Sequence, residues 1–481
     1  MNARPLPVSR PAEQGVDARG IAAFLDAVEA APDIEPHSLM ILRHGHLVAS
    51  GWWAPYTPER LQLLYSLSKS FTSTAAGFAV AEGLLDLDDP VLSYFPEFEA
   101  DITDPRSRAM LVRHVAAMAS GHLTETWADA VRLDRQENVR GFLLIPPDRD
   151  PGTVFAYNQS ATYTLASIVQ RVTGMPLTAY LRPRLFEPLG IGDTAWTRNR
   201  AGREIGFSGL HAATDAVARL GQLYLSEGVW EGRRILPASW IAEATRAHVA
   251  TTAVGSPEGD RPDWQQGYGL QFWRGRHGYR GDGAYGQFCV VLPEHDAVIV
   301  TTAATDRLQD LLELMWRHLL PAFGTAPSSA SGEADDVLRR RLARLALPPV
   351  EARSEPPEPG DAWSDAVFAP AGGVCEDQPS LTHVLVAEGD KGPRVTLVEG
   401  DQRFELRLGG TGWTADPGPT PAAVSGGWTD ERTLRVDVLF LETPHRLTVT
   451  CALPERTFTA RWHTTPLQGR SLRSLQAPPR G

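Results

Sequence analysis

Residues 65–78 read YSLSKSFTSTAAGF, and the lysine in the middle of this stretch, Lys69, is out of character for the chain. Lysine and arginine together number 46, yet lysine stands at two positions only, Lys69 and Lys391. Every other cation of this kind is arginine. Arginine stays protonated in practice, whereas lysine loses its proton when burial or a nearby cation depresses its pKa. A lone lysine in a chain that otherwise writes arginine marks a place where the proton has to come off.

The neighbouring residues say what the amine is for. Phe71 to Leu85 is apolar, rich in alanine and longer than a strand, with Gly83 near its end, and so predicts a buried helix. Ser66 and Lys69 stand three apart at its head, and positions i and i+3 share one face of a helix. A hydroxyl and an amine then open into one space. The helix N-terminus adds free N–H groups and a positive dipole end, which suit an anionic intermediate. Serine is a weak nucleophile until a neighbour takes its proton, and a deprotonated lysine does that. The blander reading is a capping serine followed by a solvated first-turn lysine. The scarcity of lysine and the apolar run weigh against it.

Working outward, residues 17–31 predict an amphipathic helix, and 38–50 (SLMILRHGHLVAS) a hairpin turning at His44-Gly45. Helical patterns follow over 107–119, over 164–173 after a turn at Pro151-Gly152, and over 210–227. Residues 267–302 are strand-like, with a glycine-rich turn at GDGAYGQ and a second turn at PEHD, and 308–319 is an apolar helix. Strands at both ends with helices between them predict an α+β fold, an antiparallel sheet flanked by helices with a helical insert. This first unit is expected to span 1–325. A short Arg-rich helix near 334–346 and the proline-rich stretch LPPVEARSEPPEPGD make 326–360 a helix and linker. From 361 to 481 the pattern alternates with period two. Leu434, Val436, Val438 and Phe440 interleave with Thr433, Arg435, Asp437 and Leu439, which predicts a small all-β meander or barrel.

Composition narrows the function. The net charge is −12, and no basic stripe of the kind a nucleic-acid binder needs is present. The acidic balance also disfavours anionic membrane surfaces. No apolar run is long enough to span a bilayer, and the polar N-terminus MNARPLPVSRPAEQGVDARG lacks a signal-peptide core, so a cytoplasmic location is expected. The three cysteines, Cys289, Cys375 and Cys451, have no zinc-ligand spacing and read as buried free thiols. No metal or organic cofactor is implied.

The stretch YSLSKSFTSTAAGFAVAEGLLDLDDPV resembles the first motif of the penicillin-recognising serine hydrolases, a superfamily that includes class C β-lactamases, DD-carboxypeptidases, D-aminopeptidases and esterases. RHGHLVASGWWAPY, LVRHVAAMASGH, PGTVFAYNQSATYTLASIVQRVTG, LRPRLFEPLGIGDTAW and GYRGDGAYGQFCVVLPEHDAVIVTT extend the likeness in order over about residues 10–325. The resemblance implies Ser66 as nucleophile, Lys69 as its partner and Tyr157 as a second proton carrier. Lysine and tyrosine that close titrate as a coupled unit. It also implies an oxyanion hole made by the backbone N–H groups of Ser66 and Ala284.

Two departures bear on substrate. The second motif is usually Tyr-x-Asn, but here Asn158 follows Tyr157 directly, Gln159 takes the asparagine place, and Tyr163 falls one residue late. Either amide is able to bond a substrate carbonyl. The third motif usually opens with a cation, and here it is Gly281-Asp282-Gly283, with Arg280 adjacent. Asp282 and Gly283 are therefore expected at the substrate, while a β-lactam or free-carboxylate substrate is disfavoured. The expected activity is that of a serine hydrolase forming an acyl-enzyme with a small ester or amide. The alternative is a binding or scaffolding protein on the same fold whose catalysis has decayed. The sequence leaves the oligomeric state open.

Overall fold

The computed structural model describes residues 5–252, 261–324, 326, 331–357, 362–389, 392–409, 412–416, 418–467 and 471–479; Lys391 lies outside them. The first unit begins with α1 (Ala18–Ala30), capped by the Asp17 side chain, which accepts from the Arg19 amide, and buries Ile21, Phe24, Leu25 and Val28. Strands β1 (Glu35–Arg43) and β2 (His46–Trp52) follow. They turn at His44 and Gly45, both with positive φ (49° and 74°), the backbone a tight two-residue hairpin needs. Next come α2 (Ser68–Ala81), α3 (Gln159–Thr173) and α4 (Thr214–Leu225). Strands β3 (Trp273–Arg274), β4 (Tyr279–Gly283), β5 (Gln287–Leu292) and β6 (Ala297–Ala304) lead to α5 (Leu308–His318) and α6 (Ser331–Leu342).

The six strands form one antiparallel sheet in the order β2-β1-β6-β5-β4-β3. Its centre joins the two ends of the unit, with Leu39 opposite Thr301 and Ile41 opposite Ile299. All of β1 but Arg43 is buried, so both faces of the sheet are covered. Helix α4 packs on β1, β5 and β6, while α1 packs on β1 and against α5 and α6. The fold class is that expected.

Several local expectations change for identifiable reasons. Residues 107–119 are two short helices, Pro105–Arg108 and Val112–Ala116, because Leu111 between them is extended and bridges to Pro90. The first residues of the 210–227 pattern form a strand, Leu210–Ala212, held between Gln62–Leu63 and Thr194–Trp196. Helix α3 begins earlier than its apolar period, since Asn158 caps it. The run GYGLQFW yields a strand only at its end, where Gln271 has φ 66° and breaks the extension. Among the described residues no helix is long and apolar enough to cross a membrane.

The C-terminal part carries β7 (Ala366–Pro370), β8 (Leu381–Ala387), β9 (Arg394–Glu399), β10 (Gln402–Arg407), β11 (Thr414–Asp416), β12 (Ala422–Trp428), β13 (Thr433–Phe440), β14 (His445–Ala452) and β15 (Thr457–Trp462). They form one sheet in the order β10-β9-β8-β7-β15-β14-β13-β12-β11, antiparallel except for β7 with β15. Its two end strands approach each other, so the sheet is a nearly closed barrel. Leu434, Val436, Val438 and Phe440 fill its interior, as the alternation predicts. The opposite face of β13 meets solvent only at its start, at Thr433 and Arg435. Asp437 and Leu439 are also buried. Ala423, Leu439 and Leu441 join the hydrophobic core of the first unit, and Arg446 pairs with the buried Glu35 at 3.0 Å. The Leu63 amide donates to Glu442 O at 2.9 Å, and Gln62 Nε2 to Leu441 O at 2.5 Å. These contacts bring the barrel against the segment just before Ser66. All three cysteines are buried free thiols.

Candidate functional site

Ser66 sits in a single 3₁₀ turn, Tyr65–Leu67, that feeds directly into α2. Lys69 lies in the first turn of α2 and is 1 % exposed, among the largest wholly buried side chains. Its Nζ is 3.0 Å from Ser66 Oγ, 2.7 Å from Gln159 Oε1 and 2.7 Å from the Phe207 carbonyl. Two of these three neighbours are pure acceptors. They take two N–H bonds and leave the third position of the nitrogen facing the serine hydroxyl. A neutral amine in this cradle turns its lone pair toward Ser66, while an ammonium donates there instead. Burial decides between them. It pushes the Lys69 pKa well below the usual lysine value, and the charges of Glu125 and Asp282 oppose it only in part.

Tyr157 closes the other side of Ser66. Its ring centroid is 4.8 Å from Lys69 Nζ, and its phenol shares a hydrogen bond with Ser66. The ring is stacked on Trp273, centroids 5.5 Å apart at 19°, with Tyr268 edge-on. Burial raises the phenol's pKa, and the bond to Ser66 offsets only part of that rise. Desolvation thus pushes the amine toward its neutral form and holds the phenol away from phenolate.

The two neighbouring amides separate clearly. Asn158 is wholly buried, and its Oδ1 accepts from the Ser160 amide at 3.0 Å and from Thr126 Oγ1 at 3.0 Å. That asparagine caps α3 and is turned away from the cleft. Gln159, one residue further on, lines the cleft and reaches Lys69. Of the two residues expected at the substrate, Gln159 faces the cleft and Asn158 does not.

Strand β4 explains the glycines of the third motif. A Cβ on Gly283 would lie 2.2 Å from the Leu64 carbonyl and 3.2 Å from the Leu67 amide, and one on Gly281 would lie 2.3 Å from Leu67 Cδ1 and 2.7 Å from Ser70 Oγ. Only bare backbone fits there, so β4 presses against the turn that carries Ser66 and brings Ala284 beside it. Ser66 and Ala284 are both partly exposed. Arg280 and Asp282 share the other face of the strand. They pair with each other at 3.0 Å, and the Arg280 guanidinium lies 4.3 Å over Trp264 and donates to the Asp263 carbonyl. Arg280 is 2 % exposed and Asp282 9 %, so neither offers a free charge to solvent. Burial raises the Asp282 pKa, and the Arg280 charge opposes it.

The cleft has a volume of about 810 Å³ and is lined by Ser66, Gln159, Trp127, Phe207 and Leu467, with Arg135, Arg198 and Arg200 around it. Sequence reasoning passed over the Phe207 carbonyl, since a main-chain acceptor carries no residue signature. The one available hint was Gly206 and Gly209, both with positive φ, bracketing Phe207. Among the described residues no group of three or more His, Cys, Asp or Glu is arranged to hold a metal ion.

A serine and a tyrosine at the floor of a cleft, bonded to each other and with a buried lysine amine on the serine, on an antiparallel sheet with a helical insert, define a serine-hydrolase type of site. The family model described as Beta-lactamase matches residues 21–322, and the chain belongs to that family. It is 28% identical over 301 residues to the 6-aminohexanoate-dimer hydrolase of Paenarthrobacter ureafaciens, covering 57% of this chain and 76% of that protein. It is also 28% identical over 212 residues to Esterase EstB of Burkholderia gladioli, covering 38% of this chain and 53% of the relative, so it spans about half of that protein's length. A Bacillus anthracis structure provisionally named a 6-aminohexanoate-dimer hydrolase superposes with TM-score 0.52 at 19% identity, over 66% of this chain and 87% of that one, a likeness of fold.

The glycine contacts predict an order of damage. Gly283→Ala forces a backbone carbonyl to move and should lower kcat/KM by at least about 100-fold, the size of one lost oxyanion donor. Gly281→Ala meets only side-chain ends and should cost clearly less. Ester hydrolysis by both variants, alongside their melting temperatures, checks this, and equal rates would contradict the packing argument.

Proposed function

We propose that the protein hydrolyses small esters or amides through an acyl-enzyme on Ser66. The observation that carries this reading is the buried Lys69 amine, held by two carbonyl oxygens with its third direction toward Ser66 Oγ 3.0 Å away. Lys69 Nζ takes the Ser66 proton as Oγ attacks the substrate carbonyl. The carbonyl oxygen, now negative, is received by the amides of Ser66 and Ala284. Tyr157 gives its proton to the departing alcohol or amine and is refilled from Lys69. Water then attacks the acyl-serine by the same path in reverse and releases the acid. Every step uses a group already on this chain. The names of the two relatives, a hydrolase of an aminohexanoate dimer and an esterase, support the same bond classes. The decayed-catalysis reading gains nothing, since the amine and the phenol each stand within hydrogen-bonding reach of the Ser66 hydroxyl.

The cleft also favours one kind of substrate. Its lining holds three arginines and, among the described residues, no carboxylate. Arg198 is partly neutralised by Glu204 at 3.5 Å, while Arg135 and Arg200 make no ion pair among the described residues. In a chain of net charge −12 this is a local excess of positive charge, opposed by the exposed Glu125, which accepts from the Trp127 and Gln159 amides, and a site with an excess of one sign concentrates ligands of the other. An acyl or leaving group ending in a carboxylate fits better than one ending in an ammonium.

Three outcomes follow. A fluorophosphonate should add its mass to Ser66, and Lys69→Met should slow ester turnover by about 10²–10⁴-fold while the protein still folds; an unlabelled wild type across a broad ester panel would count decisively against the mechanism. Because the base must be unprotonated and its pKa is depressed, kcat/KM should already be near its plateau at neutral pH and fall only on the acid side. A rate that kept climbing toward the ordinary lysine pKa, about 10.4, would contradict this. A mono-p-nitrophenyl glutarate should outrun p-nitrophenyl valerate, an advantage that added salt erodes. Arg135→Gln and Arg200→Gln should each reduce it by about two- to fivefold, the range of exposed charge pairs; no advantage, or one insensitive to both, would remove the charge argument.

A further inference from the structure

Two tyrosines flank the two amides assigned to the oxyanion. Tyr65 immediately precedes Ser66, and Tyr285 immediately follows Ala284. Both have left-handed backbones, φ 47° and φ 67°. For a bulky aromatic residue that conformation is uncommon and strained, so it persists only where the surroundings hold it.

What holds them comes from the C-terminal barrel. The Tyr65 hydroxyl lies 2.6 Å from His445 Nε2, across 380 residues of sequence. His445 Nδ1 lies 2.8 Å from the Thr464 carbonyl, which can only accept. Nδ1 therefore carries the hydrogen, Nε2 is the acceptor, and Tyr65 donates to it. The Leu467 amide in turn donates to the Tyr65 oxygen at 3.4 Å. The Tyr285 hydroxyl donates to the Thr465 carbonyl. The three rings pack edge to face, with centroids 5.5 Å apart for Tyr65–Tyr285, 5.8 Å for Tyr65–His445 and 5.5 Å for Tyr285–His445. His445 is 0 % exposed, Tyr65 3 % and Tyr285 6 %. Burial takes the imidazole pKa down to about 3 and raises that of the Tyr65 phenol, so the bond joins two neutral groups throughout the working range. The segment that supplies Thr464, Thr465 and the Leu467 amide goes on to put the Leu467 side chain into the wall of the cleft.

We propose that His445 and the Thr465 carbonyl are positioning elements for the oxyanion hole. They fix Tyr65 and Tyr285 in left-handed conformations and, through them, aim the amides of Ser66 and Ala284, which makes the barrel a working part of the catalytic centre. This rests on the acyl-enzyme reading of Ser66. It assigns His445 no proton transfer and no contact with substrate. Its action is through the chain geometry of the residues next to the donors.

The test is Tyr65→Phe, which removes one oxygen and leaves the ring, together with His445→Phe and the double variant. Each is assayed on a p-nitrophenyl ester and on its thiono analogue, whose sulfur is a poor acceptor of the oxyanion-hole bonds. Tyr65→Phe should lower kcat for the oxo-ester about tenfold or more, a fraction of what losing a whole donor costs, with KM within twofold and the oxo/thiono rate ratio falling in step. The double variant should be no worse than the worse single, because both remove one bond. A Tyr65→Phe protein that melts lower yet keeps its kcat and its oxo/thiono ratio would overturn the proposal and leave the bond a matter of stability alone. Should His445→Phe fail to fold, Tyr65→Phe carries the test by itself. Fluorophosphonate labelling of Ser66 in the wild type separates the layers. No labelling overturns the acyl-enzyme reading and this proposal with it, whereas normal labelling with an unchanged Tyr65→Phe ratio overturns this proposal only.

Discussion

The amine of Lys69 is the constraint on which the site depends. An ammonium buried this deeply without a carboxylate bonded to it is expensive, and a buried lysine escapes that cost by giving up its proton. The fold then has to supply acceptors for the two remaining N–H bonds, and it does so from two distant places, the Gln159 side chain and the Phe207 main chain. Much of the local architecture follows from that need. Asn158 caps α3 so that the helix begins where Gln159 points at the amine. Gly206 and Gly209 let the chain between them turn the Phe207 carbonyl inward. Gly281 and Gly283 let β4 lie against the nucleophile's turn without an intervening side chain.

The electrostatic arrangement is one of neutralised charges around a centre that works uncharged. Lysine is driven down and tyrosine up by the same desolvation, which favours the neutral form of each beside Ser66. The cation usual in the third motif is replaced by a buried pair, Arg280 with Asp282, whose charges cancel at 3.0 Å. Fixed positive charge is found instead at the cleft's lining, on Arg135, Arg198 and Arg200. The buried Lys69 amine is thus set apart from the charged lining of the cleft.

Much of the first unit was legible in the sequence because its signals are local. The hairpin turn at His44-Gly45, the apolar run of α2 and the alternation of β13 each depend on residues a few positions apart, and each forms where expected. Failures came where a distant partner overruled a local pattern. Leu111 is pulled out of a helix by its bridge to Pro90, and Leu210–Ala212 out of another by pairing with Gln62–Leu63 and Thr194–Trp196. The burial of Asp437 and Leu439 has the same origin. Period-two patterning identifies the face that fills the barrel, but it is silent on whether the other face meets water or the neighbouring unit.

The sequence by itself determined the pairing at the centre of the chemistry, a titratable amine one helical turn from a hydroxyl, because that property belongs to residue types and a short spacing; the downstream tyrosine and the two glycines of the strand were implied only by the resemblance to a known superfamily. It did not determine which amide serves the site, what Arg280 does, or why Tyr65 and Tyr285 adopt left-handed backbones. Those were decided by tertiary structure alone. Asn158 and Gln159 differ by one step on a helix whose start is set by packing, and the charge of Arg280 is cancelled by burial with Asp282. The tyrosines are held by a histidine and a carbonyl that the chain reaches only after folding a second sheet against the first.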